Sequence, residues 1–442
     1  MLHMEKTSEK KKRPAGTMRK IQQPARGAAA NRPDSRAVFR PLGPDRREEK
    51  MKAGTGSSLS ADARQAGREA ARKAADGLER VKLVFAYASS RYYNKLSDLA
   101  AGIRDVLPQA QVIGGTSWRG VVLPEGLVEG EYFVGALALS DENLSVGVGT
   151  AENNDDDPVG AGRAAALAAL ARAGRREPPD YFYMAAMPGF EEFYLQGIRE
   201  VIGDCPMFGQ SVVDNQVTGD WDIFTQEGVV GYGLAVAFFY NTRSITNHFT
   251  AAPYYEGEER FHITKIDKSR RLEEVEGPSL VERIVRRTGI DPDFLSEADI
   301  QMSTILEPLG VRDHPEGPLT LRFPMCLYRD GSIAMGCNVS QGSLAVCMKA
   351  ETEDLVAASA GELEKLAGEM ERPPAAYHLA MGYGRSMIMH AEEKLSEAVT
   401  LIRKAAGDVP FIMPFTLSEC GLDVSGREAC ANLMLSYTGL AE

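Results

Sequence analysis

The chain has 442 residues, 44% hydrophobic and 25% charged, an ordinary balance for a soluble chain with enough apolar surface for two or three domains. The longest apolar run, Val229–Tyr240, has 12 residues and two glycines, short of the roughly 20 that cross a bilayer, so no membrane span is expected. The formal charge of −12 is uneven: residues 1–52 carry 15 Lys/Arg against 6 Asp/Glu, and the remaining −21 would repel nucleic acid and anionic membrane.

Residues 1–59 read as a disordered basic tail, with Lys10-Lys11-Lys12-Arg13, several prolines and almost no periodic apolar pattern. Met51 stands just before the first helical pattern and is expected to be the initiating residue. Regular elements then follow. Residues 61–78 are rich in Ala, Arg and Glu and predict a helix with Ser60 as N-cap. Val81–Ala88 is a short apolar run expected as a buried strand, and residues 95–107 place Leu96, Leu99, Ile103, Val106 and Leu107 on one helical face. Strands are predicted at 111–115, 131–139 and 144–150.

After an acidic linker (Asn153 to Asp157) and an Ala-rich helix over 159–173, the order repeats: strand 181–186, helix 193–202, strand 206–211 and strand 231–239. This spacing implies an internally duplicated β-α-β-β-β unit. Ligands of α/β proteins bind where strands end in loops. The candidates are therefore Ser89, Ser90, Arg91, Tyr92 and Tyr93 after the first strand and Gly114, Gly115, Thr116 and Ser117 after the second. In the second copy they are Gly209, Ser211, Asp214 and Asn215. The plainer alternative is that the glycines permit turns and the hydroxyls cap.

The C-terminal half is again α/β. A strand at 261–266, a helix at 279–288 capped by Ser279, a hairpin around Arg329-Asp330-Gly331 and a strand at 343–349 lead into helix 354–370. Strand 377–382, helix 391–405 and strand 409–415 complete it. Arg385 and Glu419 fall in its strand-end loops, where they would hold a ligand carboxylate and a ligand amine or pair with each other. The fold expected is α/β: two α/β domains at 60–252 and 253–442, the first internally duplicated, behind the basic tail.

Catalytic signatures are missing from the sequence: it has no G-x-S-x-G, P-loop or H-E-x-x-H, and Gly160-Ala161-Gly162 follows an acidic linker instead of a strand. No metal site is expected. The six cysteines are scattered without a C-x-x-C, so they are expected as reduced thiols, including Cys326 and Cys337 about the hairpin and Cys420 beside Glu419.

The succession V-F-A-Y-A-S, V-I-G-G-T-S, F-G-Q-S-V-V-D-N, G-Y-G-R-S-M and F-T-L-S-E-C-G resembles the FIST family, a FIST N domain followed by a FIST C domain, from about Ala61 onward. The resemblance implies a cytoplasmic sensory module for a small ligand such as an amino acid. It also implies a separate signalling partner: a histidine kinase, a chemoreceptor or a cyclic-nucleotide signalling enzyme. Some relatives bind haem and respond to nitric oxide, which leaves a haem-based gas or redox sensor as an alternative, with His248, His262, His314, His378 and His390 as single candidate ligands. An uncharacterised enzyme is the third reading. The family glycine-hydroxyl motifs fall on Gly114, Thr116 and Ser117 and on Gly209, Ser211, Asp214 and Asn215, and the C-terminal motif on Ser418-Glu419. Trp118-Arg119 departs from the small residues usual after the first motif, setting an indole and a guanidinium beside the expected crevice.

Overall fold

The computed structural model describes residues 50–442 apart from 155, 243, 313–317 and 424–425; the expected tail over 1–49 and His314 lie outside the described residues. The tail boundary needs one correction. Lys52–Ser58 is a strand, β1. Its small residues looked featureless in sequence because a helix lies directly on them: a Cβ on Gly54 or Gly56 would stand 2.4 or 2.3 Å from a carbonyl of that helix.

The first folding unit continues with that helix, α1 (Ala63–Ala74), then β2 (Val81–Ala88), α2 (Leu96–Val106), β3 (Gln111–Thr116), a hairpin of β4 (Gly120–Leu123) and β5 (Gly126–Glu129), and β6 (Val134–Ser140). Asp62, not Ser60, caps α1 by accepting from the Gln65 amide. The second unit repeats the order: β7 (Ser145–Glu152), α3 (Pro158–Ala173), β8 (Tyr181–Ala186), α4 (Glu191–Ile202), β9 (Met207–Ser211), hairpin β10 (Ile223–Thr225) and β11 (Gly228–Val230), and β12 (Gly233–Tyr240). Gly162, from the G-x-G string, serves packing: a Cβ there would lie 2.2 Å from the Tyr194 carbonyl of α4.

A third copy follows, split by an insertion. It opens with β13 (Ile245–Thr250). The insertion holds β14 (Tyr255–Asp267), β15 (Arg271–Val275), α5 (Leu280–Thr288), α6 (Glu297–Ile305), β16 (Leu309–Arg312), β17 (Thr320–Arg322), β18 (Pro324–Leu327), β19 (Ile333–Met335) and β20 (Leu344–Lys349). The unit then resumes with α7 (Thr352–Glu369), β21 (Pro374–Gly382), α8 (Tyr383–Ala391), α9 (Leu395–Ala406), β22 (Phe411–Thr416), hairpin β23 (Glu419–Leu422) and β24 (Glu428–Ala431), and β25 (Leu435–Ala441). The predicted cap holds, since Ser279 and Glu282 form a capping box at α5.

Three six-stranded sheets share one plan: β1-β6-β2-β3-β10-β11, β7-β12-β8-β9-β23-β24 and β13-β25-β21-β22-β4-β5. In each, the parallel pair (β2/β3, β8/β9, β21/β22) is joined by antiparallel strands on both sides. Each unit hands its hairpin to a neighbour: the first to the third, the second to the first, and the third to the second. The insertion makes its own seven-stranded sheet, β17-β16-β20-β14-β15-β19-β18. The repeat seen twice in sequence is therefore a threefold arrangement, and strand exchange interlocks the two α/β halves.

The ends of the parallel strands close a ring. The Val213 amide donates to the Thr116 carbonyl (3.4 Å), Leu417 to Ser211 (3.2 Å) and Trp118 to Phe415 (3.3 Å). Thr116, Ser211 and Phe415 thus occupy equivalent positions. Three residues before their paired strand ends, Phe85, Tyr183 and His378 meet as a triangle of rings with centroids 4.9 to 5.3 Å apart. Tyr87 completes this buried centre, its hydroxyl 2.8 Å from the Tyr183 hydroxyl and 2.6 Å from His378 Nε2. Burial pushes the His378 imidazole down to about 3, so it is neutral.

One cysteine expectation is overturned. Cys420 and Cys430 face each other across β23 and β24 with Cα atoms 4.2 Å apart and form a disulfide. The sequence reading placed Cys420 in a loop, so the short hairpin that pairs it was missed. Cys205, Cys326, Cys337 and Cys347 are buried and form no disulfide among the described residues.

Candidate functional site

The glycine-hydroxyl corners do converge, because the ring of amides joins Thr116 to Val213. They converge as packed structure. A Cβ on Gly114 would meet the Ala86 carbonyl at 1.8 Å, one on Gly115 the Val212 side chain at 2.3 Å, and one on Gly209 the Met184 carbonyl at 2.5 Å. Buried Ser117 donates to the Gly120 carbonyl (2.7 Å) and accepts from the Phe415 amide (2.9 Å). Thr116 Oγ1 accepts from the Asp222 amide. Ser89 caps the turn after β2, accepting from the Arg91 amide and donating to the Glu131 carbonyl at 2.7 Å. At these positions the plainer alternative holds: the small residues let strands and loops approach, and the hydroxyls serve backbone groups.

Between each pair of neighbouring units, the loop after the first parallel strand of one faces the loop after the second parallel strand of the next. The three resulting clefts differ. In the one between the second and third units, Ser211 and Ser418 both hydrogen-bond Glu191 Oε1, the latter at 2.8 Å. Glu191 Oε2 accepts from the Gly189 amide (3.0 Å) and from Arg270 Nη2 (2.6 Å), which reaches in from the insertion. Arg270 also binds Glu192, Asn338 Oδ1 and the Gly336 carbonyl. Burial alone would raise the Glu191 carboxyl, but Arg270 and the two serines outweigh it and hold the group below its ordinary value. This cleft is filled by the protein's own arginine.

Arg385 and Glu419 are both buried and do not pair with each other. Arg385 donates through Nε to the Leu433 carbonyl (2.5 Å) and through Nη2 to Ala251 (3.2 Å), and lies over the Tyr254 ring at 5.1 Å. Glu419 accepts from the Thr416 hydroxyl and the Met434 amide (2.8 Å), and burial pushes its carboxyl up to about 8. Neither lines the cavities described next.

The other two clefts are open. Between the first and second units lies a cavity of about 500 Å³, walled by Ser90, Arg91 and Tyr93 after β2 and by Asn215, Thr218 and Asp220 after β9, with Arg119 and Asp214. Asp214 builds the wall: its carboxylate accepts from the amides of Gln216, Thr218, Gly219 and Asp220 at 2.7 to 3.0 Å and so folds the loop. Between the third and first units is a cavity of about 270 Å³ lined by Trp118, Leu127, Glu129, Gly130, His390, Leu395 and Phe415. Arg119 and Asn215 belong to both walls. The Asn215 side-chain oxygen accepts from the Arg119 amide at 2.8 Å and holds that residue in the left-handed region, at φ 57. The Arg119 guanidinium stands 5.3 Å from the Trp118 ring centroid.

Of the candidates read from sequence, Ser90, Arg91, Tyr93, Asp214 and Asn215 reach the larger cavity. Arg91, Arg119, Asp214 and Asp220 carry its charge; the Trp118-Arg119 departure pointed to Arg119, and nothing in the sequence pointed to Asp220. Among the described histidines, His378 is packed among rings, His248 and His262 bond Glu369 and Glu276, and His390 lines the smaller cavity.

Residues 82–278 match the FIST N domain, and residues 288–421 match the FIST C domain. The chain belongs to the FIST family. FIST domains are sensory domains of signal transduction, so this FIST protein belongs to that functional class. Curated proteins gave no match. Among solved structures, a cyanuric acid hydrolase from A. caulinodans aligns with 9% identity over 89% of this chain and 100% of its own, with a TM-score of 0.33. The T. maritima PurL complexed with AMPPCP aligns with 11% identity over 88% of this chain and 72% of its own, with a TM-score of 0.21. No helix among the described residues is long and apolar enough to cross a membrane.

Proposed function

We propose that this FIST protein is a cytoplasmic ligand-binding sensor that takes a small polar metabolite, such as an amino acid, into the cleft between its first two units. It passes its state to a separate signalling partner such as a histidine kinase, a chemoreceptor or a cyclic-nucleotide enzyme. One observation carries the reading. The cleft of about 500 Å³ sits at the carboxyl ends of parallel strands and brings Arg91, Arg119 and Asp220 around one space. Arg91 and Arg119 have no ion pair among the described residues, so both forks are available to a ligand carboxylate, while Asp220 is available to an amine. Closure of the loops around the ligand would separate two states for a partner to read.

A thermal-shift screen against amino acids and related metabolites tests this. A ligand at a hundredfold excess over its Kd adds about 2.7 kcal/mol, which for a chain of this size raises Tm by about 3 °C. The shift should vanish in Arg91→Ala and shrink in Asp220→Asn. A hit that keeps its full shift in both variants places the site elsewhere.

A further inference from the structure

We infer that the cleft and the smaller cavity beside it form one bipartite site whose ligand is a carboxylate bearing an apolar or aromatic tail. The inference rests on the cleft being the ligand site and specifies what that ligand is. Arg119 and Asn215 are common to the two walls, so the two spaces adjoin at these residues.

The two spaces differ in chemistry. The larger is lined by hydroxyls, amides and charges. In the smaller, Leu127, Leu395, Phe415 and Trp118 share the wall with Glu129, Gly130 and His390. Its volume of about 270 Å³ exceeds the roughly 150 Å³ that admits a benzene ring.

The shared guanidinium is held in place. Asn215 fixes the Arg119 backbone, the Trp118 ring supports one face of the fork, and no protein carboxylate pairs with it among the described residues. A carboxylate on Arg119 therefore leaves its tail facing the Trp118 side and its remaining polar groups facing Tyr93 and Asp220. In the filled cleft a protein carboxylate, Glu191, takes the guanidinium of Arg270. In the open pair the protein supplies the guanidinium and the ligand supplies the carboxylate.

The test is a titration of the full chain with 3-phenylpropionate, acetate and 3-phenylpropionamide, followed by tryptophan fluorescence and calorimetry. Phenylpropionate should bind at least tenfold more tightly than either of the others. Arg119→Gln should lower its affinity at least tenfold and leave the amide unchanged. Leu127→Trp, which fills the smaller cavity, should remove the preference for the tail while small carboxylates still bind. Equal binding of acetate and phenylpropionate, or no carboxylate binding at 10-millimolar concentrations (an order-of-magnitude limit of about 3 kcal/mol), overturns the inference. If small polar metabolites still shift Tm through Arg91 and Asp220, the cleft reading survives that failure; if they do not, both fall.

Discussion

Glu419 and Tyr87 show how single buried groups set the stability of this molecule. Glu419 is held with its carboxyl raised to about 8, against about 4.5 for an unburied glutamate. The folded chain keeps a proton that the unfolded chain releases, so stability contributed by this group is full below pH 4.5 and is lost as pH rises to 8. Urea unfolding between pH 5 and 8 should therefore show falling stability, and Glu419→Gln should flatten that slope. Glu191 has the opposite shift, so its contribution is lost only as pH falls below the ordinary carboxylate range, outside that window. Tyr87 is a second case. Tyr87→Phe leaves the Tyr183 hydroxyl and His378 Nε2 without this partner in an apolar centre, and should cost about 1–3 kcal/mol in chemical denaturation.

Each unit is also held to its neighbours by contacts that cross from one unit to another. The insertion is fastened to the second unit by Arg270, which pairs with Glu191 and Glu192 at 2.6 Å while almost wholly enclosed. Arg270→Ala would leave Glu191 charged and buried beside two serines, a loss of about 3–5 kcal/mol. Guanidinium at low millimolar concentration should restore part of the lost Tm. Hairpin β23/β24 lies against β9 and is closed by the Cys420–Cys430 bridge, with a sequence separation of 10. Thiol titration of the protein denatured without reductant should find four thiols, the cysteines outside the Cys420–Cys430 bridge. Replacing both bridged cysteines by alanine should lower stability by about 2–3 kcal/mol, the loop-closure contribution of a short loop.

At the scale of the whole chain, exchange of hairpins makes the two halves interdependent. Residues 50–252 alone would leave β4 and β5 without β22 and expose the edge of β9 that β23 covers. Expressed alone, that fragment should fail to show a cooperative melt, and co-expression with residues 253–442 should restore one. A sharp independent melt of the fragment would refute this interdependence.

Much of this architecture was legible in the residues. Strands β2 and β8 lie where their apolar runs end, α2 follows its leucine stripe, and the repeat of β2-α2-β3 in β8-α4-β9 follows the spacing of those runs. These features are local, since period, capping and short-range hydrophobic order are written in consecutive residues. Strand β1, the third copy and the disulfide were not legible, because each depends on a partner far along the chain. The same holds for the site. Gly114, Ser117 and Ser211 had the right chemistry for a crevice, but neighbouring units close around them and use their groups internally. The larger of the two clefts that stayed open is bounded by Arg91, Arg119 and Asp220, which only the tertiary arrangement sets around one space. The sequence alone determined many of the secondary elements, two of the three repeats and the resemblance to the family; the tertiary structure alone decided which polar groups line the open clefts, because that depends on which loops the exchanged strands bring together.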